Sequence, residues 1–250
     1  MIPRRRGERT QKGNPHELTR EQHVIPAATL RRFAQSDGRV EVHFRDGRIA
    51  KLPVDSQLFC VERLWDQRAE AGYMKKIEDE FQALVNELEA GRPGALSSNE
   101  HRCITRFWGL WHWRNHFIDS PLEDMPLNGI AGESSLTLDQ KEILESRWYS
   151  FAVGPGPGKF PARMMTGLQI QIAIDRYEMA NGGKQWGVLR SPVLPLIIGD
   201  RPGNLMSLPA SPRLLLAADN PDGELTQFEA FRANQAALAL SRNFAVIGRF

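Results

Sequence analysis

The sequence predicts an α+β fold, with a helical middle packed on a mixed or antiparallel sheet built from an N-terminal hairpin and C-terminal strands. Three observations carry this. Val40 to Phe44 alternates and returns through Asp46-Gly47 into Ile49 to Val54, as a hairpin does. Between residues 66 and 179 apolar residues recur at three- and four-residue steps. From Trp186 onward, short apolar runs stand between prolines and glycines.

The elements follow in order. Residues 1–18 are expected to form a disordered basic arm, and 19–250 a single α+β domain. Pro26 starts a short helix through Phe33, because its missing N–H costs nothing in a first turn. After the hairpin, Asp66 to Ala90 forms a long helix. Its buried stripe is Met74, Ile77, Phe81, Leu84, Val85 and Leu88, and Gly91 and Pro93 stop it. Ser97 with Glu100 makes a capping box for a helix running to about Phe117. Pro121 to Ser135 reads as loop, Leu138 to Phe151 as helix, Gly154 to Gly158 as a flexible connector, and Pro161 to Met179 as helix. Strands are expected at Trp186–Leu189, Pro192–Ile198, Leu205–Leu208 and Leu214–Ala217. A helix at Gln227–Leu240 and a strand at Phe244–Ile247 close the chain.

With 250 residues, 41% of them apolar and 25% charged, the composition is that of a soluble globular protein able to bury a large core. No apolar run reaches the length that spans a bilayer, and no apolar segment follows the basic start, so neither membrane insertion nor a secretory signal is expected. Cys60 and Cys103 make no disulfide framework, which suits a cytoplasmic setting. The net charge of +2 belongs to the tail: Arg4, Arg5, Arg6, Arg9 and Lys12 stand against Glu8, and the remainder is close to neutral. Such an arm touches nucleic-acid phosphates or is merely solvated. The sequence carries no signal for oligomeric state.

Two islands hold the candidate chemistry. His23 stands just before the proline-started helix, whose N-terminus disfavours a second ring proton. A neutral imidazole there suits a general base or a metal ligand. Asp200 follows the apolar run Leu194 to Gly199 and needs a partner to offset its desolvation. A metal ion, Arg201, His23 or a row of backbone N–H groups would serve. Glu62 and Glu78 are further carboxylates for an oxygen-rich Mg²⁺ or Mn²⁺ site with His23 and Asp200. Arg114, Asn115 and Arg201 are candidates for binding an anionic substrate.

Other patterns fail on their own chemistry. His112 and His116 share a helix face, but Trp113 occupies the place of the zinc-protease glutamate. Gly154 to Lys159 is no phosphate loop, since Pro155 and Pro157 remove N–H donors and Phe160 replaces the Ser or Thr.

The islands together resemble a bacterial family known as domain-of-unknown-function family 4238. The resemblance rests on His23-Val24-Ile25-Pro26 with Leu30-Arg31-Arg32-Phe33, on Ile77-Glu78, and on the arginine-bearing helix after Ser97. It continues through Ile197 to Pro202, Leu208 to Pro212, Asn234, and Ala239 to Phe244, covering about residues 20–248. Gly199 and Arg201 stand where typical members carry Ser and Asn. The resemblance implies an architecture and a residue set, not a reaction. The residues themselves suggest a metal-dependent nuclease or phosphodiesterase, with Asp200, Glu62, Glu78 and His23 at the metal. In that scheme His23, Asp200 and Glu78 act in catalysis, and Arg114, Asn115 and Arg201 hold the substrate. The alternatives are a non-enzymatic binding module in a bacterial defence, phage counter-defence or toxin–antitoxin setting, and a small-nucleotide binder that uses the arginines.

Overall fold

A computed structural model describes residues 9–131, 135–154, 157–203 and 206–250. Residues 1–8 of the basic arm, Pro155 and Gly156 of the expected connector, and Leu205 of an expected strand lie outside the described residues. The chain runs β1 (Glu21–His23), α1 (Ala27–Phe33), β2 (Arg39–Phe44), β3 (Ile49–Pro53), a 3₁₀ turn (Gln57–Phe59), and β4 (Cys60–Glu62). A π-wound segment (Ala69–Met74) leads into α2 (Lys75–Glu89), then α3 (Ser98–Asp119), β5 (Met125–Ala131), α4 (Leu138–Ser146), β6 (Pro157–Phe160) and α5 (Ala162–Asn181). The last part is β7 (Trp186–Arg190), β8 (Ile197–Gly199), β9 (Ser207–Ser211), β10 (Leu214–Ala218), β11 (Gly223–Glu224), α6 (Gln227–Leu240) and β12 (Phe244–Ile247).

The expected α+β arrangement is present, and the N-terminal hairpin shares a sheet with the C-terminal strands. The order is β3-β2-β12-β8, antiparallel throughout. Val246 pairs with Val42 on one side and Ile198 on the other, so the last strand of the chain holds the first sheet together. A second sheet has the order β11-β7-β10-β9, and β1-β4 and β5-β6 form two-stranded ribbons. One apolar cluster runs from Val40, Val42 and Phe244 through Phe81, Ile104 and Ile170 to Trp186 and Leu216. Phe81 of α2 stacks on Phe107 of α3, with ring centroids 3.7 Å apart. Gly109 lets the Tyr177 ring of α5 approach α3, since a Cβ there would lie 3.1 Å from it.

Several expectations are corrected. Residues 9–18 are not a loose arm: Leu18 is buried, the Gln11 N–H donates to Glu142 Oε1 (2.7 Å), and His16 meets Asp139 (2.7 Å). The stretch read as loop at 121–135 contains β5, which pairs with β6, a strand that begins within the expected connector and runs past its end. This ribbon holds Pro126, Gly129 and Gly158 and lacks alternation, so no strand signal shows. Helix α4 ends early because Trp148 takes a φ of 66° while the Tyr149 N–H turns back to Leu144 O (2.9 Å). Pro192–Ile198 contributes only its last residues to β8, since its prolines cannot donate to a ladder. Among the described residues no helix is long and apolar enough to cross a membrane.

Candidate functional site

The expected site residues fall in three places. The first is a buried charge cluster behind the β1-β4 ribbon. Arg114 on α3, 2% exposed, ion-pairs with Glu78 of α2 and lies 3.6 Å from Glu70 of the π-wound segment. Its guanidinium stands over the Trp65 ring (5.1 Å), and its Nε has no hydrogen-bond partner among the described residues. Burial pushes the Glu78 carboxyl up, against the pull of Arg114 and, more weakly, of His23. His23 is therefore within electrostatic reach of Glu78. Its Nε2 faces Val54 O at 3.3 Å, and its ladder partner is Cys60. Burial, with Glu21, Glu70 and Asp55, pushes the Cys60 thiol up to about 12, so it is no nucleophile at neutral pH.

The second place is a small recess holding about 20 Å³, lined by Asn115, Asp119, Asp200, Arg201, Arg242 and Asn243 among others. Asp200, 5% exposed, does not pair with His23. Its oxygens accept from the Arg242 N–H (2.7 Å), the Asn243 N–H (2.8 Å) and Asn243 Nδ2 (3.0 Å). The desolvation of Asp200 is thus offset by the turn that precedes β12. Asn115 donates to Trp111 O (3.0 Å), and Arg201 and Arg242 both ion-pair with Asp119.

The third place is a cleft of about 1560 Å³ between the β2-β3 hairpin, the β1-β4 ribbon, α4 and the start of α5. Seven basic side chains line it, Arg20, Arg45, Arg48, Arg63, Lys141, Arg163 and Arg242, against the acidic Glu21, Asp46, Glu62, Asp119 and Asp124. The side chains of Arg20 and Lys141 have no hydrogen bond or ion pair among the described residues. Arg48 lies over the Phe44 ring (4.7 Å) and pairs with Asp46 (2.8 Å). Deeper, Glu145, 3% exposed, is gripped by Arg63 (2.7 Å) and Arg163 (2.8 Å). Burial opposes the Glu145 charge, but the two guanidiniums outweigh it and hold the carboxyl below the ordinary range. Beside them stands Asp66, 4% exposed, whose Oδ1 has no hydrogen-bond partner. Burial pushes Asp66 up to about 6, with Arg68 opposing.

The structure does not bring the four residues expected at a divalent cation together at one point. Asp200 is saturated by N–H donors, Glu78 is held by Arg114, Glu62 is exposed in the wide cleft, and His23 faces a carbonyl. Among the described residues no three His, Cys, Asp or Glu side chains converge for a metal ion. The sequence reading missed the Arg63–Glu145–Arg163 triad and Asp66, which come from three separated segments with no motif between them. The only local hint was Asp66 as a helix-starting residue.

Fold and geometry define an α+β protein with a cation-lined cleft. No protein-family model matches the chain, and neither a curated protein nor a solved structure is found similar to it.

Proposed function

We propose that the protein is a binding module that takes a phosphate-bearing polymer, single-stranded nucleic acid, along the wide cleft. One observation carries the reading: the Arg20 and Lys141 side chains line that cleft with no ion-pair or hydrogen-bond partner among the described residues, beside Arg45, Arg48 and Arg242. Unpaired cations lining a low-dielectric groove raise the local concentration of anions. The volume of about 1560 Å³ exceeds the ~300–1,000 Å³ that a drug-sized ligand occupies, which favours a chain over a single small molecule. Phe44 and Phe151 in the lining offer rings on which bases stack. Kinship with family 4238 and a cytoplasmic setting, which two free thiols suit, belong to the same proposal.

The test is fluorescence anisotropy of a labelled single-stranded oligonucleotide across a salt series. Affinity falls as salt rises, and an Arg20→Glu, Lys141→Glu variant loses about tenfold or more and shows a shallower salt slope. Equal binding by the wild type and this variant overturns the reading.

Hydrolysis is a second reading, favoured by the electrostatic reach of His23 onto a Glu78 whose carboxyl is pushed up. Here His23 activates water. Cleavage of the labelled strand by the wild type and its loss in His23→Gln supports it; cleavage by His23→Gln removes it.

A further inference from the structure

The wide cleft and the small recess share Leu58, Ile118, Asp119, Arg242 and Asn243, so the two adjoin across these side chains. At the junction Asp119 presents one carboxylate oxygen to Arg201 and the other to Arg242. We propose that Arg201 and Arg242 form a subsite for a terminal phosphate of the cleft ligand, held closed in the free protein by Asp119 acting as an internal anion. The inference rests on the cleft-binding reading and adds to it which end of the polymer is recognised.

The two guanidiniums are placed by the fold. Asp200 lies at the end of β8, and its carboxylate binds the N–H groups of Arg242 and Asn243 at the start of the segment leading into β12. That bolt joins the turn carrying Arg201 to the turn carrying Arg242. Pro202 keeps Arg201 out of helical geometry, so its side chain reaches across toward α3. Asp200 is thus a positioning residue for both cations.

Asp119 itself is poorly placed for a carboxylate. It is the last residue of α3, where the helix dipole is negative and disfavours an anion. Its stabilisation comes from the two arginines, and it is 30% exposed, so it can swing away. A phosphomonoester offers the same oxygen fork with one more oxygen and more charge, which suits two guanidiniums better than one carboxylate does. Asn115 lines the recess behind the clamp and would meet a further phosphate oxygen.

The experiment compares one labelled single-stranded oligonucleotide with a 5′-phosphate, a 3′-phosphate or hydroxyl ends only, and titrates inorganic pyrophosphate while following melting temperature. Wild type should bind one phosphorylated form about tenfold more tightly than the hydroxyl form, as charge-assisted hydrogen bonds imply. In Arg201→Gln that ratio falls toward one, and in Asp119→Asn it rises. A ratio of one in the wild type, or a ratio unchanged by Arg201→Gln, overturns the clamp while leaving the cleft reading intact. If no oligonucleotide binds, the cleft reading fails and pyrophosphate decides the clamp. A melting-temperature rise seen in wild type and lost in Arg201→Gln supports it, and the same response in both overturns it.

Discussion

At the scale of single residues, Asp66 is a carboxylate held where its charge is disfavoured. A Cβ on Gly167 would lie 2.0 Å from Asp66 Oδ1, so α5 packs directly on that oxygen, which has no hydrogen-bond partner among the described residues. The carboxyl is raised from 3.8 to about 6, mainly by burial. Below about pH 4 it is protonated in both folded and unfolded chains. As pH rises through about 6 the folded chain must carry the buried charge, and stability is lost, on the order of 3 kcal/mol by the linkage of pKa to free energy. Asp66→Asn keeps a good helix cap and removes the charge. The variant should therefore be more stable than wild type at pH 7.5 and no more stable at pH 4, measured by urea unfolding. Parallel pH profiles for the two proteins would refute this. Asp200 makes the opposite case, since its charge is fully used. Asp200→Ala leaves two backbone N–H groups and Asn243 Nδ2 without their acceptor, a loss of about 3 kcal/mol. Asp200→Asn, which keeps one carbonyl oxygen, should fall between. The same urea series checks both, and an unaltered midpoint for Asp200→Ala would deny the bolt. That Asp200 needed a partner was legible in the apolar run before it. Which partner was not, because Arg242 and Asn243 arrive only through the pairing of β12 with β8.

At the scale of elements, legibility followed periodicity. The helices with strong stripes or capping boxes stand close to where their residues place them, as at Ser97 with Glu100 and Thr226 with Glu229. Of the strands that went unseen, β1, β4, β5 and β6 belong to ribbons outside the main sheets, where no buried face enforces alternation, and β11 is a two-residue edge of the second sheet with both residues exposed. Helix α6 shows how little an element needs when its contact is polar. Phe228 and Phe231 are exposed, and of its residues Ala230 and Asn234 are the buried ones. Asn234 accepts from the Ile197 N–H (2.9 Å) and donates to Pro195 O (2.9 Å), pinning the helix to the approach of β8. Asn234→Leu conserves volume and orphans both backbone groups, at a cost of about 2–3 kcal/mol. Hydrogen exchange should show α6 amides opening faster in the variant while those of α3 change less, because this side chain ties α6 to the approach of β8 and makes no contact of that kind with α3. Uniform exchange across both helices would deny that role.

At the scale of the whole molecule, chain ends hold the structure together. Strand β12 sits between β2 and β8, and residues 9–18 lie against α4, the helix that carries Lys141 to the cleft. Composition alone could not separate an anchored arm from a solvated one, since its anchors are polar and their partners lie more than a hundred residues away. Glu142 is the pivotal partner: 1% exposed, it accepts from the Gln11 N–H (2.7 Å) and from Gln11 Nε2 (3.1 Å). Deleting residues 1–18 removes both donors and uncovers the surface that Leu18 fills. The truncated chain should melt lower than the full chain, because a buried carboxylate stripped of its donors costs more than a neutral group would. Glu142→Gln should then recover part of that loss in the truncated chain, where the charge is uncompensated, and destabilise the full chain, where it is used. This sign reversal separates a specific anchor from mere loss of apolar cover. Equal melting of full and truncated chains, or a Glu142→Gln effect of the same sign in both, would show that the segment is not held through Glu142.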